Sequence, residues 1–389
     1  MKKIVCALAL SMCVASIFAQ EKYVTQEIDS PDRSMPTFYE SLKAKMPFAL
    51  AWKDGSNPKK WKKAALAKAR EQIIAFDDKT PFKPEVLDEE KRDGYTAKKI
   101  IFNISEESRV LALLLVPDNA KKAPAALMLH DHGSKFTIGK EKMVRPFASD
   151  EKRVSEAVAW ASRFFDDDEH EECFPGDELA KRGYVVLSID ALGWGDRSVE
   201  KFKTDSQQAL ACNLFNMGSS FAGIIAQEDC RAAKFLASLP EVDKKKVAAV
   251  GFSMGAFRAW QVAALSDDIT AGIADCWMGT MRGLMVPGNN QLKGQSAFSM
   301  LHPYIARYLD YPDVASLAAP KPMLFFNGED DSLFPKAVVE DAYAKMHSVW
   351  KANKAEDKLH TEIVADMGHE FPPAQRQQAF DWLDKMFSR

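Results

Sequence analysis

Beyond residue 19 the sequence lacks any apolar run long enough to cross a bilayer, a span that takes roughly 20 residues. It also lacks an excess of either charge: 52 Lys and Arg stand against 55 Asp and Glu, a net charge of −3. That balance excludes the basic field that nucleic acid partners require and gives no sign of a membrane-surface protein. Cysteine is scarce. Two of the six, Cys6 and Cys13, fall in the N-terminal apolar segment, and Cys173, Cys212, Cys230 and Cys276 show neither a CxxC metal pair nor a dense disulfide framework. Each of those four reads as a small buried apolar residue, with pairing left open. Internal repeats, low-complexity tracts and flexible linkers are missing as well.

The N-terminus carries the first positive signal. Lys2 and Lys3 precede an apolar run from Ile4 to Ala19, and Gln20, Glu21 and Lys22 turn polar. This is the plan of a secretory signal peptide cleaved after Ala19; a retained anchor is the alternative, though the run is short for one. The remaining chain is expected in the periplasm or outside the cell, with no stable membrane insertion.

Hydrophobic periodicity then organises the chain. Phe38, Leu42, Met46 and Leu50 recur at helical spacing, and Pro58 opens a second helix. Residues 20–94 are therefore read as a helical N-terminal extension. From 95 to 389, apolar strands alternate with helices, the pattern of an α/β fold with a mostly parallel central sheet covered on both faces. The connection across residues 130–183 is too long for a simple crossover. Its part at about 136–176, which includes the acidic cluster 166–172, is read as a lid-like insertion; the cluster lacks EF-hand spacing and reads as a solvated loop.

The strongest chemical motif is Gly251-Phe252-Ser253-Met254-Gly255, placed between an expected strand at 247–250 and a helix from 256. In that setting GxSxG marks a sharp turn that lifts a serine hydroxyl above the sheet, at the positive end of a helix. Such a hydroxyl needs a base to take its proton. His369, in Met367-Gly368-His369-Glu370-Phe371, follows the last expected strand, and Gly368 is expected to give the turn the freedom to aim the ring. The acid should follow an earlier strand; Asp331 fits its spacing from Gly328, with Asp330 as the rival. The oxyanion donors are expected from the backbone N–H of Met254 and, in His130-Asp131-His132-Gly133-Ser134, from Ser134, with Gly133 as alternative. His130 and His132 read as structural, since HDH with no further His or Cys nearby is weak for zinc. Lys135, Phe136, Trp194 and Trp277 are candidates for substrate contact, and Asp229 and Arg231 read as capping and pairing residues at the opening of a helix.

The segments HDHG, DALGWGD (190–196), EDCRA (228–232), GFSMG, NGEDDSLFP (327–335) and MGHEF together resemble the dienelactone hydrolase and acetyl xylan esterase branch of the α/β-hydrolases, and within it secreted bacterial esterase-like proteins tied to polysaccharide breakdown. The likeness runs from about residue 95 to the C-terminus. It implies an α/β-hydrolase fold with Ser253, Asp331 and His369 as a triad. It further implies a serine esterase acting on carbohydrate or other small esters, acetyl groups foremost, with no metal or organic cofactor. Serine at a position where dienelactone hydrolases often carry cysteine points to ordinary esters. Three rival readings follow: a uronic acid methyl esterase in which Lys135 or Arg282 meets the sugar carboxylate, a prolyl-oligopeptidase-like peptidase, and an inactive carbohydrate-binding protein. The peptidase lacks room for its propeller in residues 20–94. The binding protein would have no need of an intact Ser, Asp, His order.

Overall fold

A computed structural model describes residues 38–74, 78–165, 174–199, 201–286 and 295–388. The expected signal peptide, the acidic cluster and Cys173 lie outside them. The chain divides into two units, Met1–Met46 and Pro47–Arg389. In the first, the described element is helix α1, Tyr39–Ala44, with an Lys43–Glu40 ion pair one turn apart.

The second unit starts with α2, Pro58–Ile73. The Asn57 side chain accepts from the Lys60 N–H at its N-terminus and Pro58 fills its first turn, as a proline without an N–H can. A nine-stranded sheet follows: β1 (Glu85–Arg92), β2 (Tyr95–Asn103), β3 (Arg109–Pro117), β4 (Ala123–Leu129), β5 (Val185–Ile189), β6 (Val242–Phe252), β7 (Ala271–Asp275), β8 (Met323–Gly328) and β9 (Leu359–Val364). Its spatial order is β1-β2-β3-β5-β4-β6-β7-β8-β9. The pairs β1/β2, β2/β3 and β3/β5 are antiparallel; from β5 onward every pair is parallel. Strands β5, β7 and β8 are buried along their whole length, as strands covered on both faces must be, and this accounts for their largely apolar sequences.

Two expectations need correction here. Strand β1 lies inside the segment expected to be helical. Its sequence EVLDEEKR is charged and exposed nearly throughout because it is the sheet's edge, where charge guards against unwanted pairing. The region expected as a lid is also more than a lid. Residues Ile138, Met143, Val144 and Phe147 are buried, as are Lys140, Glu141 and Lys142. The helix after them, α3 (Glu151–Phe164), is capped by Asp150 and sends Trp160 into the core.

Chain order reverses at β4: from it the chain moves to β5 on one side, then crosses to β6 on the other. A crevice opens at the carboxyl ends of strands at such a switch point, and it is where open α/β sheets place their ligands. The loops after β4 and β6 meet there.

Candidate active site

Ser253 is the one residue between β6 and the next helix, Met254–Leu265, and it holds φ 55° and ψ −124°. A non-glycine residue with positive φ is strained, and here close packing enforces it. A Cβ on Gly251 would sit 2.1 Å from the Gly255 carbonyl oxygen, and one on Gly255 would sit 1.9 Å from the Leu129 carbonyl oxygen. Both glycines are required by backbone approach. The Ser253 N–H is anchored on the Asp275 carbonyl oxygen at 2.8 Å.

The hydroxyl Oγ lies 2.8 Å from His369 Nε2, and His369 Nδ1 lies 2.7 Å from Asp331 Oδ2. A carboxylate only accepts, so the Nδ1–H donates to Asp331 and the Nε2 lone pair faces the serine. Asp331 is buried, and its other oxygen, Oδ1, accepts the Leu333 N–H at 2.9 Å. Asp330 is exposed and its N–H binds the Met367 carbonyl. The ring of His369 lies between Phe252, 5.0 Å away, and Phe334, stacked at 17°. Gly368 does not adopt a left-handed conformation and has open space where a Cβ would be; the turn into the histidine loop uses Asp366, at φ 56°. Behind the ring, the buried Cys276 thiol approaches the Gly368 and Glu370 carbonyl oxygens at 3.8 and 3.5 Å.

The loop after β4 is held from beneath. His130 Nδ1–H donates to its neighbour's carbonyl, Asp131 O (2.8 Å), and its Nε2 accepts the Ala191 N–H (3.0 Å). His132 Nδ1 accepts the Ser134 N–H (3.0 Å), so its Nε2–H donates to Gln207 (3.0 Å). Burial lowers both pKa values, that of His132 to about 4, so both rings are neutral with every ring nitrogen engaged. They are structural.

Ser134, expected as an oxyanion donor, therefore has its N–H committed to His132. The Gly133 N–H, by contrast, has no partner among the described residues, and Gly133 lines the crevice beside Ser253. Gly133 has φ 52°, and a Cβ there would be 1.9 Å from the Trp160 ring. Met254 opens its helix, where the N–H lacks an intrahelical acceptor.

The crevice is a cavity of about 210 Å³. Apart from the polar groups above, its walls are Phe164, Phe252, Trp277, Met300, Leu333 and Phe334. Of the expected substrate contacts only Trp277 is among them. Trp194 is fully buried, packs on His132 and Phe136, and its Nε1–H donates to the His132 carbonyl (3.1 Å). Phe136 lies in the same buried cluster against Phe202. Lys135 points to Glu156 at 3.2 Å, and the Arg282 guanidinium sits over the Phe48 ring. Trp194 and Phe136 support the loop, Lys135 projects from it toward Glu156, and neither they nor Arg282 line the cavity. Phe252 belongs to the serine motif and Leu333 and Phe334 to the acid motif; Phe164 and Met300 come from segments with no motif.

Other readings shift in detail. The helix expected to open at Asp229 runs Phe221–Ser238 and is capped by Ser220, so Asp229 sits in its middle, where it binds Arg258 through both oxygens at 2.7 and 2.9 Å. Arg231 binds the carbonyls of Ile104, Asp78 and Thr80. Cys212, Cys230 and Cys276 are free, and Cys212 is exposed rather than buried.

A family model described as "Abhydrolase family" matches residues 34–361. The chain belongs to that family. Its α/β-hydrolase fold is acetyl xylan esterase-like. A Bacillus subtilis (strain 168) protein named "Putative hydrolase YtaP" is 24% identical over 324 residues, covering 82% of this chain and 99% of the relative. Among solved structures, the Bacteroides fragilis NCTC 9343 protein titled "putative acetyl xylan esterase" superposes with a TM-score of 0.65 at 18% identity, over 84% of this chain and 82% of that one. A glucuronoyl esterase from Solibacter usitatus gives 0.59 at 15% identity, over 94% and 98%. At such identities the structural likeness shows the fold alone.

Proposed function

We propose that this protein is a serine carboxylic ester hydrolase that removes small acyl groups, acetyl foremost, from carbohydrate, and that it is exported through a cleaved leader at residues 1–19. The observation that carries the reading is the Ser253–His369–Asp331 relay, with links of 2.8 and 2.7 Å, opening on a cavity of mixed apolar and polar lining at the sheet's switch point.

In this reading Ser253 Oγ attacks the ester carbonyl carbon while His369 Nε2 takes its proton. The developing oxyanion is met by the N–H groups of Met254 and Gly133, and the helix dipole behind Met254 favours the same charge. The tetrahedral intermediate collapses, the C–O bond to the sugar breaks, and His369 returns the proton to the leaving oxygen. Water then repeats the sequence on the acyl-enzyme, releasing the acid and restoring the serine. Asp331 holds the ring in the productive tautomer and balances the imidazolium.

The cavity walls favour acetyl over uronoyl esters. Ring hydroxyls of a uronic acid that fell against Phe164, Met300, Leu333 or Phe334 would find no side-chain partner there, and an unpaired buried hydroxyl costs about 1–3 kcal/mol, whereas an acetyl group brings none. The names of the solved structures, acetyl xylan and glucuronoyl esterases, support carbohydrate as the setting of the ester. The test is an ester panel: p-nitrophenyl acetate and octanoate, acetylated xylan, and a glucuronate methyl ester, with fluorophosphonate labelling of Ser253. Acetate and acetylated xylan should lead. Preference for octanoate or for the glucuronate ester, amide cleavage rivalling ester cleavage, or labelling that persists in Ser253→Ala would overturn it.

A further inference from the structure

Lys142 is fully buried, yet it belongs to neither the serine relay nor the cavity wall. Its Nζ lies 3.1 Å from the Asp131 carbonyl oxygen, 3.0 Å from the His132 carbonyl oxygen and 3.5 Å from Asp131 Oδ2. Three acceptors match the three donors of an ammonium, and the Trp160 ring face covers the charge at 4.5 Å. The two backbone oxygens are nearer than the carboxylate, so the lysine is held mainly by the loop itself. Burial draws its pKa down and Asp131 opposes the shift.

The His132 carbonyl is the other half of the peptide unit whose N–H belongs to Gly133. In a trans peptide the two groups point in opposite directions. A carbonyl drawn down onto a buried cation therefore turns its N–H away from the protein core, and hydrogen bonding to the oxygen polarises the N–H. That oxygen accepts twice, from Lys142 and from Trp194 Nε1–H at 3.1 Å. The preceding units are held the same way: the His130 carbonyl accepts from Arg258 at 3.3 Å, and Asp131 O from both His130 and Lys142. Consecutive carbonyls face inward onto donors, while Gly133 lines the cavity.

We infer that Lys142 is a positioning residue for the ester hydrolysis, one that orients and polarises the His132–Gly133 peptide as an oxyanion donor, with Trp194 as its second anchor. This rests on the reading of the site as a serine esterase. An ammonium in this place acts on the transition state and leaves ground-state substrate binding alone.

His132–Gly133 is the sole His-Gly pair in the sequence, so a chain labelled with carbonyl-¹³C histidine and ¹⁵N glycine gives one doubly selected signal, from this peptide unit. In Lys142→Met, the His132 carbonyl carbon and the Gly133 amide should both move upfield. With p-nitrophenyl acetate kcat should fall roughly 10- to 100-fold, below the ceiling of about 10²–10³ for outright loss of an oxyanion donor. KM should change less than about threefold, and a short trifluoromethyl ketone, whose adduct carries the oxyanion, should weaken in parallel with kcat. Should Lys142→Met fail to fold, Trp194→Phe removes the other donor to the same oxygen and should move both resonances the same way with a smaller loss of kcat. An unmoved signal, unchanged kcat, or a loss confined to KM in the folded variant would overturn the inference. Failure of the esterase reading itself looks different: the wild-type protein would then hydrolyse no ester.

Discussion

Replacing Asp331 by Asn tests the relay with almost no change in shape. In the wild type, Asp331 Oδ2 receives His369 Nδ1–H while Oδ1 is held by the Leu333 N–H. The amide of Asn has one accepting oxygen and one donating nitrogen. Leu333 keeps the oxygen on its own side, because an N–H facing an NH₂ would lose its bond in a buried place. The NH₂ is thus turned toward His369 Nδ1, which must become the acceptor. The imidazole proton moves to Nε2, and the ring presents a donor to Ser253 where it has to accept. The geometry persists while the tautomer is wrong, a change that costs roughly 10⁴ in kcat, or about 5 kcal/mol in activation free energy. Asp330→Asn is the matched control: Asp330 is exposed and uses its backbone N–H on Met367, so activity should stay within about threefold. Steady-state rates with p-nitrophenyl acetate, with circular dichroism to confirm folding, decide between them. Loss of less than about tenfold in Asp331→Asn, or greater damage from Asp330→Asn, would refute the argument.

Phe334→Ala opens the acyl wall, and at about 0.8 kcal/mol per methylene the room for two more should raise the butyrate-to-acetate ratio of kcat/KM roughly tenfold; an unchanged ratio would show that acyl chains lie elsewhere. Acid should destabilise the fold from about pH 6.5 downward. Burial lowers the folded-state pKa of His130, of His132 to about 4 and of His302 to about 3, so the unfolded chain takes up protons first and stability falls with pH, by about 2 kcal/mol each for His132 and His302 at pH 5. Urea midpoints that stay flat between pH 7 and 5 would contradict that sign. Export predicts a periplasmic or secreted product whose N-terminus is Gln20, which Edman sequencing or intact mass reads directly; a retained leader would refute cleavage.

What could be read in the sequence was what chemistry compresses into neighbouring residues. Ser253 was legible because a strand-to-helix turn this tight forbids side chains at Gly251 and Gly255, and those absences are printed in the chain. His369 and Asp331 were legible because each must follow a strand that brings it to the same end of the sheet. Strand β1 was not, because an exposed edge needs no apolar alternation. The choice of Gly133 over Ser134 as the proposed donor turned on a ring nitrogen of His132 capturing the N–H two residues on, in a ring whose other nitrogen is held by Gln207 from far along the chain. Trp194 and Phe136 are aromatic and near the site in sequence, yet which face of a loop they occupy depends on what lies beneath it.

The lysines at 140 and 142 show why the supporting layer was hidden. Lys-Glu-Lys reads as a solvated turn, since lysine is almost never fully buried unless paired. Here Lys140 meets Glu141, Asp190 and Asp196 at 2.8, 2.8 and 2.5 Å, and Lys142 meets the carbonyls of the loop after β4. Asp190 and Asp196 come from the loop after β5, far along the chain, so the pairing that makes burial tolerable cannot be seen from residues 140–142 alone. An unpaired buried charge costs several kcal/mol, which means the chain has to assemble this ring of partners together with the site. The groups that react announce themselves locally; the groups that aim them are distributed, because aiming a peptide N–H requires donors on the far side of its carbonyl, and those can come from any segment the fold brings near.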